Sequence, residues 1–566
     1  MTSRTCPVLG LKIDRQAEWL VRVNAVTAIV FFLVGVIAAL LLVLTRWQAV
    51  HLLTAPWYYR VLTAHGLNML IFFIIFFEMA VLYFAGPIML NCRVPAPKLG
   101  WGSFALMLLG ALMVNFYVWT GKADVLFTSY VPMKAHPGYY LGIIFFAVGA
   151  LVVTALFFAA LVVARREKTY KGSVPLVTFG ALTAAVIAVI TLLHGAVIYI
   201  PTFLWSLGLM PLDAEMYRMV WWGLGHSSQQ INVAAHVACW YLLAGLTVGG
   251  VVLNEKVSRT AYVLYVLFIS MASAHHLLVD PGLSAPWKIW NTSYAMYLAV
   301  LASMIHGFTV PGGIEAGMRL RGFNQGLFQW LTRAPWFDPG FSSLWLSLVI
   351  FGFGGGITGV VIGTEQINII AHNTLRIPGH FHMTVVAGTA LCFMGVTYYV
   401  IPLIFRRRVA LWPLARIQPF LFGIGISLMA IGMTYAGGFG VPRRHWDISF
   451  TNAPFSIEFP PIVDLFMALV GIGGILAALG GLIYVAVAVL SLLGRPLSDS
   501  ELKEGGPGIP QGISHLPPQS YSPEEAEAAH SKGCPGTMVL VFVFFAAFVV
   551  YYFANWKLLS LIWKVG

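Results

Sequence analysis

The chain has 566 residues, of which 59% are hydrophobic and only 10% charged, and its net charge is +12. A soluble domain carries about a quarter charged residues, so an ordinary globular protein is excluded. The positive charge lies in short loops between apolar runs, which excludes nucleic acid as the partner and points to a lipid bilayer.

Apolar runs of about 20 residues, each long enough to cross a bilayer as a helix, recur along nearly the whole chain. They are continuous rather than alternating, so helices are expected and a barrel is not. In chain order, spans are predicted at 22–45, 60–90, 103–120, 136–164, 174–198, 215–250, 258–280, 287–310, 341–363, 368–403, 415–436, 461–494 and 538–563. The fold class is therefore all-α, a polytopic membrane bundle of about thirteen transmembrane helices. A segment 1–21 precedes a twelve-helix core at 22–495; a polar, Pro/Gly-rich linker at 496–537 leads to an additional helix within 538–566. No internal repeat is visible. The first apolar run follows about 20 mixed residues without a small-residue cleavage site and is read as a retained span. The five cysteines form no close-spaced pair, which argues against a disulfide framework and a thiolate metal site.

Alternate loops are basic. One set carries Arg93, Lys98, Arg165, Arg166, Lys168, Lys171, Arg319, Arg321, Arg333, Arg406, Arg407 and Arg408; the other carries Asp213, Glu215, Asp280 and Glu365, with Arg443 and Arg444. The positive-inside rule then puts the N-terminus in the cytoplasm and the C-terminus outside.

Six histidines fall in one layer of this bundle. His65 lies near the outer end of the second span, and His226 about 11 residues into the sixth; His275 and His276 close the outer end of the seventh, and His380 and His382 lie about 12 residues into the tenth. At 1.5 Å per residue, His226 and His380 are expected roughly 16–18 Å inward. A lone membrane histidine is usually a packing residue. Six in one layer on four helices are better read as ligands, because ionisable groups in a bilayer are costly and neutral imidazole suits copper, iron and haem. His380 and His382 point about 200° apart on a helix, so they can serve two cofactors but not one. His275 and His276 can converge on one metal with help from His226.

The segments WWGLGH (221–226), SAHHLLVDPG (273–282), AHNTLRIPGHFH (371–382), GVPRR (440–444) and LRGFNQGLFQW (320–330) resemble subunit I of the haem–copper oxidase superfamily, B-type branch. The resemblance runs from about residue 55 to residue 495. It implies that His65 and His382 are axial ligands of a low-spin b-type haem. His380 becomes the proximal ligand of a high-spin b- or a-type haem, and His226, His275 and His276 hold the second metal. Three imidazoles without a carboxylate favour copper there, with iron open. Arg443 and Arg444 match a propionate-binding pair, in a region that also contains His372; guanidinium groups suit carboxylates. The implied setting is the cytoplasmic membrane of a prokaryote. With no copper-thiolate domain and no CxxCH motif, electrons must come from a partner, either a subunit II with a dinuclear copper centre or a cytochrome c or other small donor.

One departure bears on the substrate. Oxygen reductases of this type carry a tyrosine four residues after the first metal-ligating histidine, joined covalently to it, and it supplies an electron and a proton when the O–O bond breaks. Here that position is Gln230, in the run His226-Ser227-Ser228-Gln229-Gln230. An amide hydrogen-bonds, but has neither redox chemistry nor a proton to lose near neutral pH. NO reduction needs only two electrons for two NO, which two reduced metals can supply. The expectation is a nitric oxide reductase, with oxygen reduction as the alternative if a neighbouring tyrosine such as Tyr294 or Tyr297 substitutes. A non-catalytic haem carrier or gas sensor would not need a three-histidine metal site.

The proton path is also altered. Tyr241, Ser303 and Thr309 match the family's route, but one tyrosine position is Val237 and one threonine position is His306; Asn368 stands where an aspartate is frequent. Residues 303, 306 and 309 share a helix face, so the expected route is Thr309, Tyr241, His306 and Ser303, leading to Gln230.

Overall fold

The computed structural model describes residues 3–270, 274–451, 453–514, 524 and 533–562. Among these, twelve helices are long and apolar enough to cross a membrane. They are α1 (Arg15–Arg46), α2 (Ala55–Ile88), α3 (Pro97–Trp119), α4 (Pro137–Arg166), α5 (Leu176–Ser206) and α6 (Ala214–Val248). The seventh predicted span is a shorter helix, α7 (Glu255–Leu264), which runs on as a π-helical turn at Tyr265–Ile269. Residues 271–273 of that span lie outside the described residues. Then follow α8 (Ala285–Leu320), α9 (Pro339–Gly363), α10 (Arg376–Phe405), α11 (Trp412–Gly438), α12 (Ile462–Leu493) and α13 (Pro535–Ile562). The architecture is thus an all-α polytopic membrane bundle, as expected, with twelve qualifying spans among the described residues.

Local chemistry sets the helix ends. Asp14, after a short hairpin of β1 (Ser3–Thr5) and β2 (Lys12–Asp14), caps α1 by accepting from the Ala17 amide at 3.0 Å. Helix α1 therefore begins within the segment expected to precede it. Asp213 caps α6 from the Met216 amide at 2.6 Å, satisfying an orphan N–H of the first turn. Gly249 ends α6 in the left-handed region, φ 64°, where a Cβ is penalised. Helices α11 and α12 meet backbone to backbone. A Cβ on Gly425 would lie 2.3 Å from the Ala477 amide nitrogen, and one on Gly473 2.3 Å from that of Met429. Such close approach maximises van der Waals contact where lipid supplies no hydrophobic drive.

The tenth span differs from expectation in a way that positions the site. The chain forms a short helix at Glu365–Ala371 and breaks at His372, and α10 starts only at Arg376. Asn373 has φ 60°, Thr374 bridges to Pro442, the Leu375 amide donates to Val441 O at 2.8 Å, and the Arg443 amide donates to Asn373 O at 2.9 Å. The break spends helical hydrogen bonds on tying the Arg443–Arg444 loop to the start of α10. His380 is accordingly the fifth residue of its helix, about 6 Å along it rather than 18.

The stretch expected to be a polar linker is partly built into the bundle. Leu497, Leu502, Ile509 and Ile513 are buried, and the Gln511 amide donates to Asp338 at 2.9 Å, so 497–513 lies over the end of the bundle that carries the basic loops. Residues 515–523 and 525–532 of that linker, and 563–566 at the C-terminus, fall outside the described residues. Fully buried Glu315 on α8 clasps the start of α13. It accepts from the Gly536 amide (3.1 Å), the Thr537 amide (2.7 Å) and the Thr537 hydroxyl (2.7 Å), and pairs with Arg319 at 2.8 Å. Glu315→Ala would leave the buried Gly536 and Thr537 donors without their acceptor, while Arg319 keeps the Asn324 and Gly326 carbonyls. The expected loss is about 1–3 kcal/mol, read as a lower unfolding temperature of the purified protein, with Glu315→Gln less affected.

Candidate metal centre

His226, on the face of α6 turned to the bundle interior, meets His275 and His276 beyond the end of α7. One ring nitrogen from each lies within 4.8 Å of the others, a span that a single ion can bridge. The rings are held from several sides. The His226 and His275 planes are nearly perpendicular, 88°, with centroids 4.1 Å apart. Trp222, one turn before His226, stacks on His276 at 3.8 Å and 7°. Ser227 donates to Ser270 O at 3.2 Å, tying α6 to the chain just before the histidine pair. The chain thus has a histidine-rich metal-binding site at these three residues.

Gln230 is buried, at 5% exposure, and shares the His226 face. The two nitrogens of His226 have different partners: Nδ1 faces His276 Nε2 at 2.9 Å, while Nε2 faces the Gln230 amide at 3.2 Å. If Nδ1 ligates, the ring proton sits on Nε2 and donates to an acceptor. The amide then presents its oxygen, a half-turn that costs little because Gln230 Oε1 has no other partner.

His65 and His382 face each other across the bundle with ring centroids 6.5 Å apart and planes 7° from parallel. Two imidazole–metal bonds of about 2.0–2.1 Å plus two half-rings span about that distance. His65 Nδ1 donates to Gly35 O at 3.0 Å and His382 Nδ1 to Pro378 O at 2.7 Å, so both Nε2 atoms are left as ligands. One cavity is lined by His65, His382, Trp222, His276, Arg443 and Arg444, which is the fit a haem bound between the two rings requires. His380 turns the other way. Its Nδ1 lies 3.0 Å from the Thr358 hydroxyl, whose own proton goes to the Gly354 and Gly355 carbonyls; Thr358 therefore accepts from the ring and leaves Nε2 free.

Above these rings the charge is one-sided. Arg218 pairs with Asp280 at 2.7 Å, His372 stands 4.0 Å from the same carboxylate, and Arg444 lies over the Tyr130 ring at 5.7 Å. Burial, and then the neighbouring Arg444, lower the Arg443 pKa to about 9. Burial, and then Arg443, lower that of His372 to about 4, while burial raises that of Asp280. Three arginines against one carboxylate leave positive charge that buried propionates would neutralise.

The expected proton-path residues also come together. The Tyr241 hydroxyl lies 2.7 Å from Thr309 Oγ1 and 3.0 Å from His306 Nδ1. Two of their hydrogen-bond partners were not anticipated. Ser258 on α7 accepts from Tyr241 at 3.1 Å, and fully buried Tyr265 bonds Ser303 at 2.9 Å and lies against the His306 ring at 5.7 Å. Neither carries a spacing signal, since both act across helices. Thr358 and the stacking role of Trp222 were missed for the same reason. Tyr294 and Tyr297 do not line the centre: they are 58% and 47% exposed.

A family model described as "Cytochrome C and Quinol oxidase polypeptide I" matches residues 20–476. The chain belongs to that family. It is an oxidoreductase of the haem–copper superfamily, and its sequence is consistent with the B-type branch. Cytochrome c oxidase subunit 1 of Thermus thermophilus is 29% identical over 437 residues, 76% of each chain. Quinol oxidase subunit 1 of Bacillus subtilis is 24% identical over 443 residues, 73% of this chain and 63% of that protein. The cryo-EM structure of a heme-copper terminal oxidase dimer superposes with a TM-score of 0.80 at 24% identity, covering 94% of this chain and 92% of that one. This family member therefore shares the fold of that oxidase as well as the family's sequence.

Proposed function

We propose that the chain is the catalytic subunit of a membrane nitric oxide reductase, in which two NO, two electrons and two protons give N2O and water. The observation that carries this is Gln230, whose amide occupies the Nε2 side of His226 at 3.2 Å. The described hydrogen bonds of His226 run to His276 and Gln230, with no redox-active phenol among them. When bound, a low-spin haem at His65 and His382, a high-spin haem at His380 and a copper (or iron) at the three histidines would deliver and supply the electrons. Arg443 and Arg444, with His372 beside them, would hold the propionates; the Gln230 amide would accept a hydrogen bond from the His226 ring N–H and set that ring's orientation.

Oxygen reduction to water is the second reading, and the comparisons favour it over nitric oxide, since the relatives named above are oxidases. Anaerobic turnover of the purified enzyme with NO, against O2 uptake with the same donor, separates the two. N2O formation with absent or much slower O2 reduction is expected. Four-electron O2 reduction without released peroxide would establish the second reading. Electrons reach the chain through a subunit II with a dinuclear copper centre or from a small donor such as cytochrome c, in a prokaryotic cytoplasmic membrane with the N-terminus inside.

Protons follow Thr309, Tyr241 and His306, and then Ser303 with Tyr265, towards Gln230. His306→Leu is expected to slow turnover about tenfold with metal content intact, less than the hundredfold or more for a group that protonates the reacting atom itself. Unchanged turnover, with no charge movement across liposomes during catalysis, would move proton uptake to the opposite face.

A further inference from the structure

We propose that the groove where the start of α1 meets α3 and the ends of α10 and α12 binds an anionic phospholipid through its phosphate. The groove encloses about 410 Å³. Arg22 and Arg407 line it, together with Val23, Val26, Phe104 and Leu492, so two guanidinium groups share one cavity with an apolar wall made by three spans. Trp19, 50% exposed, also lines it, and an exposed tryptophan at a helix end is an interfacial anchor.

The positive charge is not neutralised by the protein. Arg22 donates to Glu18 at 2.7 Å, but Glu18 also binds Arg4 at 2.7 Å and Arg15 at 3.1 Å. Three cations therefore share one carboxylate. Arg22 Nε is buried with no partner, and the guanidinium is steered into the groove by Trp19 and Phe405, at 5.0 and 5.5 Å from their ring centroids. Arg407 bonds only the Phe405 and Arg406 carbonyls, through Nη1, and pairs with no carboxylate among the described residues. A planar guanidinium pair suits a phosphate, and the wall of Val23, Val26, Phe104 and Leu492 suits an acyl chain. The groove lies on the face with the basic loops, where the positive-inside rule places the cytoplasmic leaflet and its anionic lipids.

The test is native mass spectrometry of delipidated holoenzyme in detergent, titrated with phosphatidylglycerol, phosphatidylcholine or inorganic phosphate. One phosphatidylglycerol should be retained in preference to phosphatidylcholine, and inorganic phosphate should not displace it. The double variant Arg22→Gln/Arg407→Gln should bind it about thirtyfold more weakly, at about 1 kcal/mol per surface arginine. Because Arg22 also serves the Glu18 cluster, Arg407→Gln alone should weaken binding about fivefold on the same basis. Thr27 also lines the groove, and Thr27→Trp, which fills the apolar wall and spares both arginines, should abolish retention with haem and metal content unchanged. Equal retention of the two lipids, no retention by the unmodified enzyme, or unaltered binding by Arg407→Gln and Thr27→Trp would overturn the proposal. Displacement by inorganic phosphate would identify a free-anion site and overturn the lipid.

Discussion

His276→Ala is expected to empty the second-metal site and to reduce turnover by more than about a hundredfold, because losing a group that only orients a ligand already costs 10–100-fold in metal affinity. The three ligand nitrogens come from α6 and from one pair of adjacent residues, all within 4.8 Å, and two imidazoles cannot complete a site built for three. Trp222, stacked on His276 at 3.8 Å, would lose its partner but remain packed, so the fold should survive. Metal analysis with the haem spectrum of the same sample checks this: second-metal content should fall to background while the low-spin signal stays. Full metal content in that variant would show that His276 is not a ligand.

Gln230→Leu should keep the haems and the second metal and slow turnover by about 10–100-fold, the range for groups that orient a metal ligand. Leucine matches the volume but cannot hydrogen-bond His226 Nε2, now 3.2 Å from the amide nitrogen, so with the metal on Nδ1 the Nε2 proton would be left buried without an acceptor. Gln230→Glu restores an acceptor and should recover part of the rate. The measurement is steady-state NO consumption at fixed donor, with metal content as the control for folding. Kinetics indifferent to Gln230→Leu would remove Gln230 from the chemistry and weaken the nitric oxide reading with it.

Much of the architecture was legible because hydropathy is a one-dimensional quantity. An apolar run of about 20 residues forms a spanning helix wherever it packs, so twelve of the thirteen expected spans appear as qualifying helices. Helical periodicity likewise put His380 and His382 on opposite sides of α10, and they do engage Thr358 and His65 respectively. The convergence of His226 with His275 and His276 was expected from the adjacent pair's need for a third ligand on another helix and from the family resemblance, and their ring nitrogens do lie within 4.8 Å of one another. The break before α10 was not visible, because His372–Leu375 leaves the helix in exchange for bonds to the Val441–Arg443 loop, and those partners lie some seventy residues away. The linker read as polar for a related reason: Leu497, Leu502, Ile509 and Ile513 are too sparse to form a run and become a buried set only against the bundle.

By itself, the sequence determined that this is a helical membrane protein with histidines layered to hold metal, and that an amide, Gln230, stands one helical turn after His226. Tertiary structure alone decided which nitrogen of His226 meets that amide, that Ser258 and Tyr265 hydrogen-bond Tyr241 and Ser303, and that Glu315 holds the last helix. The physical reason is that hydropathy and periodicity fix the depth and rotation of a side chain on its own helix. A hydrogen bond near 3 Å depends on the relative rotation, tilt and separation of two helices, which are set by the packing of all of them together.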